Sequence, residues 1–220
     1  MAGRKGMAGR KKDPARTEAT RRELLEASYA LFTQKNIESV SMAEAAQAAG
    51  YGVATMYRYF KTKPELVVAV AVWKTAQEWE DNRRDGPDAD FSDQTAAEVL
   101  AYFFDFFIEL YAKHRDLLRF NQLFNIYVRS EKLGEETIEP FEVLVRTLAA
   151  RFHIIYEKAL RDRTVRTDVP EDEMFGTALH LMLAAVTRYA VGLVYQPKDE
   201  AAALRELETL KNALLREYTL

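Results

Sequence analysis

The segment from Ser41 to Leu66, SMAEAAQAAGYGVATMYRYFKTKPEL, limits the possible folds more than any other stretch. It reads as two short helices and the start of a third. Ser41, with Glu44 three residues on, forms a capping box that opens the first helix, which runs to about Ala48. Gly50 supplies a tight turn. The second helix has about seven residues, from Gly52 or Val53 to Tyr59. Thr62 and Glu65 cap the third, whose first turn accommodates Pro64. A seven-residue helix is not stable by itself. Two such helices joined through a glycine form a helix-turn-helix, in which the first positions the unit and the second enters the DNA major groove. Ala45, Ala46 and Ala49 are small because three helices must pack closely. Tyr57, Tyr59, Lys61 and Lys63 crowd the end of the second helix as phosphate donors, which fix register without reading sequence. The competing reading is an αα corner inside an ordinary helical core.

The rest of the chain continues the helical pattern. Nine Gly and six Pro in 220 residues leave little turn chemistry for many strands. TRRELLEASYALFTQKN has helical apolar spacing, with Thr20 and Glu23 as a capping box and a stop at Asn36–Ile37. The helix opened by Thr62 should run past Trp73 and Trp79 to about Arg84. The loop RRDGPDADFSD follows. Further helices are predicted at about 93–113, 115–130 and 135–162, with Pro140 in or near the first turn of the last. Asp168 or Pro170 starts the next, which covers 171–195 and is apolar nearly all round. The final helix, 199–218, carries Ala203, Leu207, Leu210 and Leu214 on one stripe. The prediction is an all-α chain of nine helices. A basic arm, 1–15, is expected to be disordered, and domains of 16–64 and 65–220 follow.

Charge separates these parts. Residues 1–64 hold twelve Lys/Arg against six Asp/Glu, whereas the remainder holds nineteen against twenty-eight. A basic end on an acidic body suits contact with a polyanion, although a solvated tail would look the same. The absence of Cys excludes disulfides and thiolate metal sites and fits a reducing cytoplasm. The N-terminus lacks an apolar signal region, and no stretch of about 20 apolar residues is free of charge, so no membrane contact is expected. His114, His153 and His180 show no helical pairing with carboxylates or one another that would suggest a metal site, and no cofactor loop is present.

Residues Thr20 to Val70 resemble the DNA-binding domain of the TetR family of bacterial transcriptional repressors. The features that carry the likeness are Thr20-Arg21, Leu31-Phe32, Ala49-Gly50, Met56-Tyr57-Arg58-Tyr59-Phe60 and Lys61-Thr62-Lys63. The resemblance implies that Ser41, Tyr57, Tyr59 and Lys63 hold phosphates and that Thr55 touches phosphate or base. Arg16, Arg21 and Arg58 complete the expected DNA-binding set. Gly52 and Val53 stand where the family usually has Ser and Lys. Gly52 weakens the N-cap slightly, and Val53 replaces a cation with an apolar group suited to a thymine methyl. Leu31, Phe32 and Phe60 are expected in the core.

The resemblance also implies an effector-binding and dimerisation domain over 65–220. Its candidate ligand contacts are Phe103, Phe104, Phe107, Tyr111, Phe120, Phe124, Tyr127, His153 and Tyr156. A helix cannot point all the aromatics of YFFDFFIELY at one core face, so some should face a cavity, another helix or a partner. Aromatic walls suit an apolar, planar or elongated compound, neutral or cationic, with Asp105, Glu109, Asn121, Asn125 or His153 supplying polar contacts. Plain aromatic core is the alternative. Gly176, Ala184, Ala185 and Gly192 permit close helix approach, and with Leu207, Leu210 and Leu214 they are the candidate four-helix interface of a homodimer. The resulting expectation is a cytoplasmic, ligand-responsive repressor that binds a palindromic double-stranded DNA operator. It needs no cofactor and is not an enzyme. Two rivals are a nonspecific architectural DNA binder, for which the basic arm would suffice, and a helical enzyme using the aromatic cavity, which no paired catalytic carboxylates support.

Overall fold

A computed structural model describes residues 14–81 and 91–220, with side chains omitted for 79–81. The disorder expected before Pro14 and most of the RRDGPDADFSD loop lie outside the described residues. Those residues form nine helices: α1 Pro14–Lys35, α2 Met42–Ala48, α3 Val53–Tyr59, α4 Lys63–Asp81, α5 Ala96–Lys113, α6 Arg115–Ser130, α7 Glu135–Asp162, α8 Glu171–Val191 and α9 Glu200–Tyr218. No strand occurs among them beyond an isolated antiparallel bridge, Val165 to Thr219.

Local chemistry sets most helix ends. Asn36 closes α1 at φ +68°, a left-handed conformation that Asn tolerates better than most residues. Ser41 Oγ accepts the Glu44 amide at 3.1 Å and opens α2. At the other end of α2, Tyr51 N donates to Ala46 O at 2.9 Å and Gly50 N to Gln47 O at 3.0 Å. Together they form a Schellman motif, with Gly50 at φ +77°. Thr62 Oγ1 accepts the Glu65 amide at 3.2 Å, and the Glu65 carboxylate reaches back to Lys61 N at 2.8 Å. Thr95 and Glu98 make a full capping box at the start of α5, and Asp199 caps α9.

Three boundaries differ from expectation. Thr20 opens no helix: α1 already runs from Pro14, and Thr20 lies buried within it as the first of the inward stripe Thr20, Leu24, Leu25, Ser28 and Phe32. Its hydroxyl is 3.5 Å from the Tyr51 hydroxyl, which also donates to Glu23, so tertiary contact overrides the local cap signal. Pro140 is the sixth residue of α7, in its second turn. Helix α8 stops at Val191 because Gly192 takes φ +110°.

Helix α4 joins the two parts of the fold. It packs against α1 on one side and against α6 and α7 on the other. Leu66, Val67, Val68, Val70 and Ala71 are all buried, which is wider than a single helix contact needs. In the larger bundle α5 touches α6, α7, α8 and α9. By length and composition, α8 is the one described helix apolar enough to cross a membrane, although it carries charged residues at both ends. Here it packs against α5, α6, α7 and α9 through Met174, Ala178, Met182, Val186 and Ala190, with Arg188 and His180 exposed. The C-terminus is tied down by Arg166 N to Tyr218 O and Leu220 N to Thr164 O.

Gly50 gives a direct test of the turn. A Cβ at this position would meet nothing within 4 Å, so substitution is penalised by backbone conformation alone. Gly50→Ala should destabilise the protein by about 1–2 kcal/mol in urea unfolding, and Gly50→Asn by clearly less. Equal stability of all three would show that the left-handed turn is not required.

Candidate functional site

The helix-turn-helix is held by α2, whose Met42, Ala45 and Ala46 are buried against α1 and α3. Helix α3 buries a single residue, Met56, which is 0% exposed. On its outer side Gly52, Val53, Ala54, Tyr57 and Arg58 are all exposed, with Val53 at 42% and Tyr57 at 51%. Thr55 and Tyr59 are half-buried. Leu31, Phe32 and Phe60 belong to the core or pack on it, as expected. A short helix that fully buries one side chain and offers Val53, Ala54, Tyr57 and Arg58 to solvent is built to meet something outside the chain.

Cations surround this face. Arg16 is exposed on the first turn of α1. Arg21 stacks on the Phe60 ring at 5.6 Å and Arg58 on Tyr59 at 5.3 Å. Lys61 is exposed just beyond α3. Ser41 is exposed while capping α2. Lys63 is engaged inward: its ammonium donates to Glu38 O at 2.9 Å and sits 5.8 Å over the Tyr127 ring of α6. Burial lowers its pKa, with Glu131 and Glu38 acting in the opposite direction. Burial likewise pushes the Tyr127 phenol up to about 12. Ser130 Oγ donates to Glu38 Oε1 at 3.3 Å, so the C-terminal end of α6 touches both the start of α4, through Tyr127, and the α1–α2 loop.

The second feature is an apolar cavity of about 170 Å³ between α4, α5, α6, α7 and α8. Eight phenylalanines line it, among them Phe103, Phe104, Phe107 and Phe124 from the expected set. Phe106, Phe141, Phe152 and Phe175 were not in that set. Its polar groups are Thr75 and Glu78 of α4 and Asn121 and Asn125 of α6. Glu78 is 5% exposed. It pairs with Lys74 through Oε1 and has His114 Nδ1 2.5 Å from Oε2.

The other expected ligand residues lie elsewhere. Tyr111 is buried edge-on to Tyr189 beneath the Arg115 guanidinium. Phe120 lies between Phe32 of α1 and Phe124. Tyr127 faces Lys63, and Tyr156 donates its hydroxyl to Val169 O. His153 is exposed and bonded to Glu171 at 2.8 Å, and this bond raises its pKa. It also has Glu157, four residues on, at 3.9 Å, a pairing the sequence reading missed. Among the described residues no group of three His, Cys, Asp or Glu is placed to hold a metal. Asp105 pairs with Lys211 and Glu109 with Lys113, both outside the cavity.

The expected dimer residues also separate. Leu207 is 1% exposed and Leu214 is buried, both turned into their own protomer, while Leu210 and Ala185 are half-buried. Ala184 is exposed on α8, in line with exposed Leu181, Arg188 and Val191.

Comparison with known proteins agrees with this geometry. The profile of the bacterial regulatory proteins of the tetR family matches residues 24–70, from mid-α1 into α4. HTH-type transcriptional regulators from two strains of Mycobacterium tuberculosis are 44% identical over 54 residues, 24% of this chain and 27% of each relative. Residues 24–70 are similar to the DNA-binding domain of the TetR family. The similarity to these curated relatives thus spans about a quarter of their length. The fold extends further. A transcriptional regulator of Saccharomonospora viridis in complex with choline superposes with a TM-score of 0.68 at 14% identity, covering 92% of this chain and 99% of that one. The Bacillus subtilis regulator FadR in complex with stearoyl-CoA gives 0.66 at 16% identity, covering 88% and 97%. At such identities the likeness establishes the TetR-like architecture alone.

Two substitutions separate anchorage from surface on α3. Met56→Ala should cost about 2–5 kcal/mol of stability, because it leaves a hole under the helix. Tyr57→Phe, which removes only an exposed hydroxyl, should change stability by less than about 0.5 kcal/mol. Denaturant unfolding measures both, and a stable Met56→Ala protein would mean that α3 is held by something else.

Proposed function

We propose that this chain is a cytoplasmic, homodimeric transcriptional repressor of the TetR family that holds a palindromic operator through α3 of each protomer. A small molecule in the phenylalanine-lined cavity releases it. The observation that carries the reading is α3 itself, seven residues long with Met56 alone buried and Val53, Ala54, Tyr57 and Arg58 facing outward. In this reading Val53, Thr55 and Arg58 contact bases, and Ser41, Tyr57, Tyr59 and Lys63 hold phosphates, with Arg16 and Arg21 alongside. The ligands named for two structural neighbours, choline and stearoyl-CoA, support a small molecule as the effector class without selecting one. No catalytic role is assigned.

The cavity and the DNA-binding part share α4 and α6. Lys63 must leave the Glu38 carbonyl and the Tyr127 face before it can bind phosphate. A ligand that shifts α6 changes the availability of that lysine, and so has different affinities for the DNA-bound and free states. The second copy of the chain is proposed to cover α8 along Leu181, Ala184 and Val191. Leu207 and Leu214, which are buried within the protomer, are assigned to the fold.

Selection of bound DNA from a random library, followed by footprinting, should return a single palindrome. Protection spread evenly over any sequence would favour the architectural binder instead. Lys63→Ala should weaken all sequences alike and lower the salt slope by roughly one per protomer. A changed base preference with an unchanged slope would exclude the phosphate role.

The interface has its own test. Ala184→Glu should give a folded monomer in sedimentation with operator affinity reduced about a hundredfold or more, because the second half-site no longer binds intramolecularly. A dimeric Ala184→Glu protein with full affinity would place the interface elsewhere.

A further inference from the structure

The cavity has two unlike walls. Toward α7 and α8 it is hydrocarbon throughout, from Leu144, Val145 and Leu148 to Ala178, Leu179 and Leu183. Its polar groups are confined to α4 and α6, where Thr75 Oγ1 and Asn121 Oδ1 are buried without a hydrogen-bond partner and Glu78 Oε2 has only the His114 ring nitrogen, at 2.5 Å. Thr75 and Glu78 are three residues apart on α4, and so share a face. Asn121 lies between Leu117 and Phe124 on the lining face of α6. Glu78 Oε2 has His114 Nδ1 beside it as a charge partner but receives no aligned hydrogen bond. Buried polar atoms without partners cost stability, and Thr75 Oγ1 and Asn121 Oδ1 beside a buried carboxylate call for an explanation.

We infer that the cavity takes a small apolar ligand bearing a hydrogen-bond-donating, non-anionic head, a hydroxyl or protonated amine, turned toward Thr75, Glu78 and Asn121. The inference rests on the proposed reading of this cavity as the effector site and deepens it. The Asn121 carbonyl oxygen and the Glu78 carboxylate oxygen only accept hydrogen bonds, and the Thr75 hydroxyl does either. A protonated amine can donate to all three, and a hydroxyl donates to one of the acceptors while accepting from Thr75. A carboxylate or phosphate head would lie against Glu78 and leave the acceptors unpaired. Size follows from the volume. About 170 Å³ is close to the roughly 150 Å³ of an apolar cavity known to accept benzene, so the body is about one ring or a short chain. The walls orient it, with the ring among the phenylalanines and α8 leucines and the head against the helix that runs to the DNA-binding part.

Four ligands of nearly equal size test this on the full chain: ethylbenzene, 2-phenylethanol, 2-phenylethylamine and phenylacetate, followed by calorimetry and thermal shift. The alcohol and the amine should bind about tenfold or more tightly than ethylbenzene, and phenylacetate more weakly than either. In Thr75→Val and Asn121→Leu the donor preference should shrink to about threefold or less. The ligand-free melting temperature should hold or rise, since an unpartnered polar group has been replaced by an apolar one. Tight binding of phenylacetate overturns the inference. So does a lowered ligand-free melting temperature in both variants with the donor preference intact, which would make these atoms structural. Equal binding of ethylbenzene and the donors removes the head assignment and leaves the cavity as a binding site. If none of the four binds while operator affinity is intact, the effector reading of the cavity fails together with the inference, and the DNA-binding reading stands.

Discussion

Phe120 is the contact on which the two parts of this molecule depend. It is fully buried, stacked on Phe32 of α1 with centroids 6.5 Å apart and on Phe124 of its own helix at 6.3 Å. Tyr29 meets it edge-on at 5.3 Å. Phe124 in turn lies 4.8 Å from Phe141 of α7 and forms part of the cavity wall. One ring therefore links the helix that supports the helix-turn-helix to the cavity wall. Each aromatic pair contributes about 0.5–1.5 kcal/mol beyond its buried area, so a change at Phe124 is felt at α1 without any long relay. The buried residues of both parts form a single continuous cluster. The boundary drawn at residue 64 in the sequence marks a change of role more than a break in packing.

This sharing explains why α4 and α6 carry so much of the unusual chemistry. Lys63 begins α4 and is held at Glu38 O, while Glu78 near its other end is buried beside the cavity. Within three turns helix α6 contributes Asn121 and Phe124 to the cavity, Tyr127 to Lys63 at the start of α4, and Ser130 to the α1–α2 loop. Both ends of each helix are therefore engaged, and neither helix moves without disturbing both sites.

What could be read from sequence was local, and what could not was long-range. Gly50, Ser41 and Thr62 announce their turns and caps because the bonds involved span only a few residues. Thr20 misled because its cap signal is local while its burial is imposed by Tyr51, 31 residues on. Thr75 and Glu78 were missed because Lys74 and Glu78 look like an ordinary exposed i, i+4 pair; only the fold brings His114 and Asn121 to that face. The stripe on α9 was correctly seen as apolar, but a stripe does not say whose core it fills, and Leu207 and Leu214 fill their own. The tyrosines at 111, 127 and 156 and His153 could not be told from cavity residues, since aromatic density alone carries no direction.

The narrow anchorage of α3 has a consequence for how such a protein diversifies. Because Met56, with Tyr59 and Phe60 at its end, ties the helix down, residues 53, 54, 57 and 58 are under little obligation to the fold. They can be exchanged one at a time with the scaffold intact, so new target sequences are reachable through a series of folded intermediates. The cavity walls have no such freedom, because Phe124 and its neighbours also brace α1. A lineage of these proteins should therefore drift in what it reads faster than in how its two halves are joined.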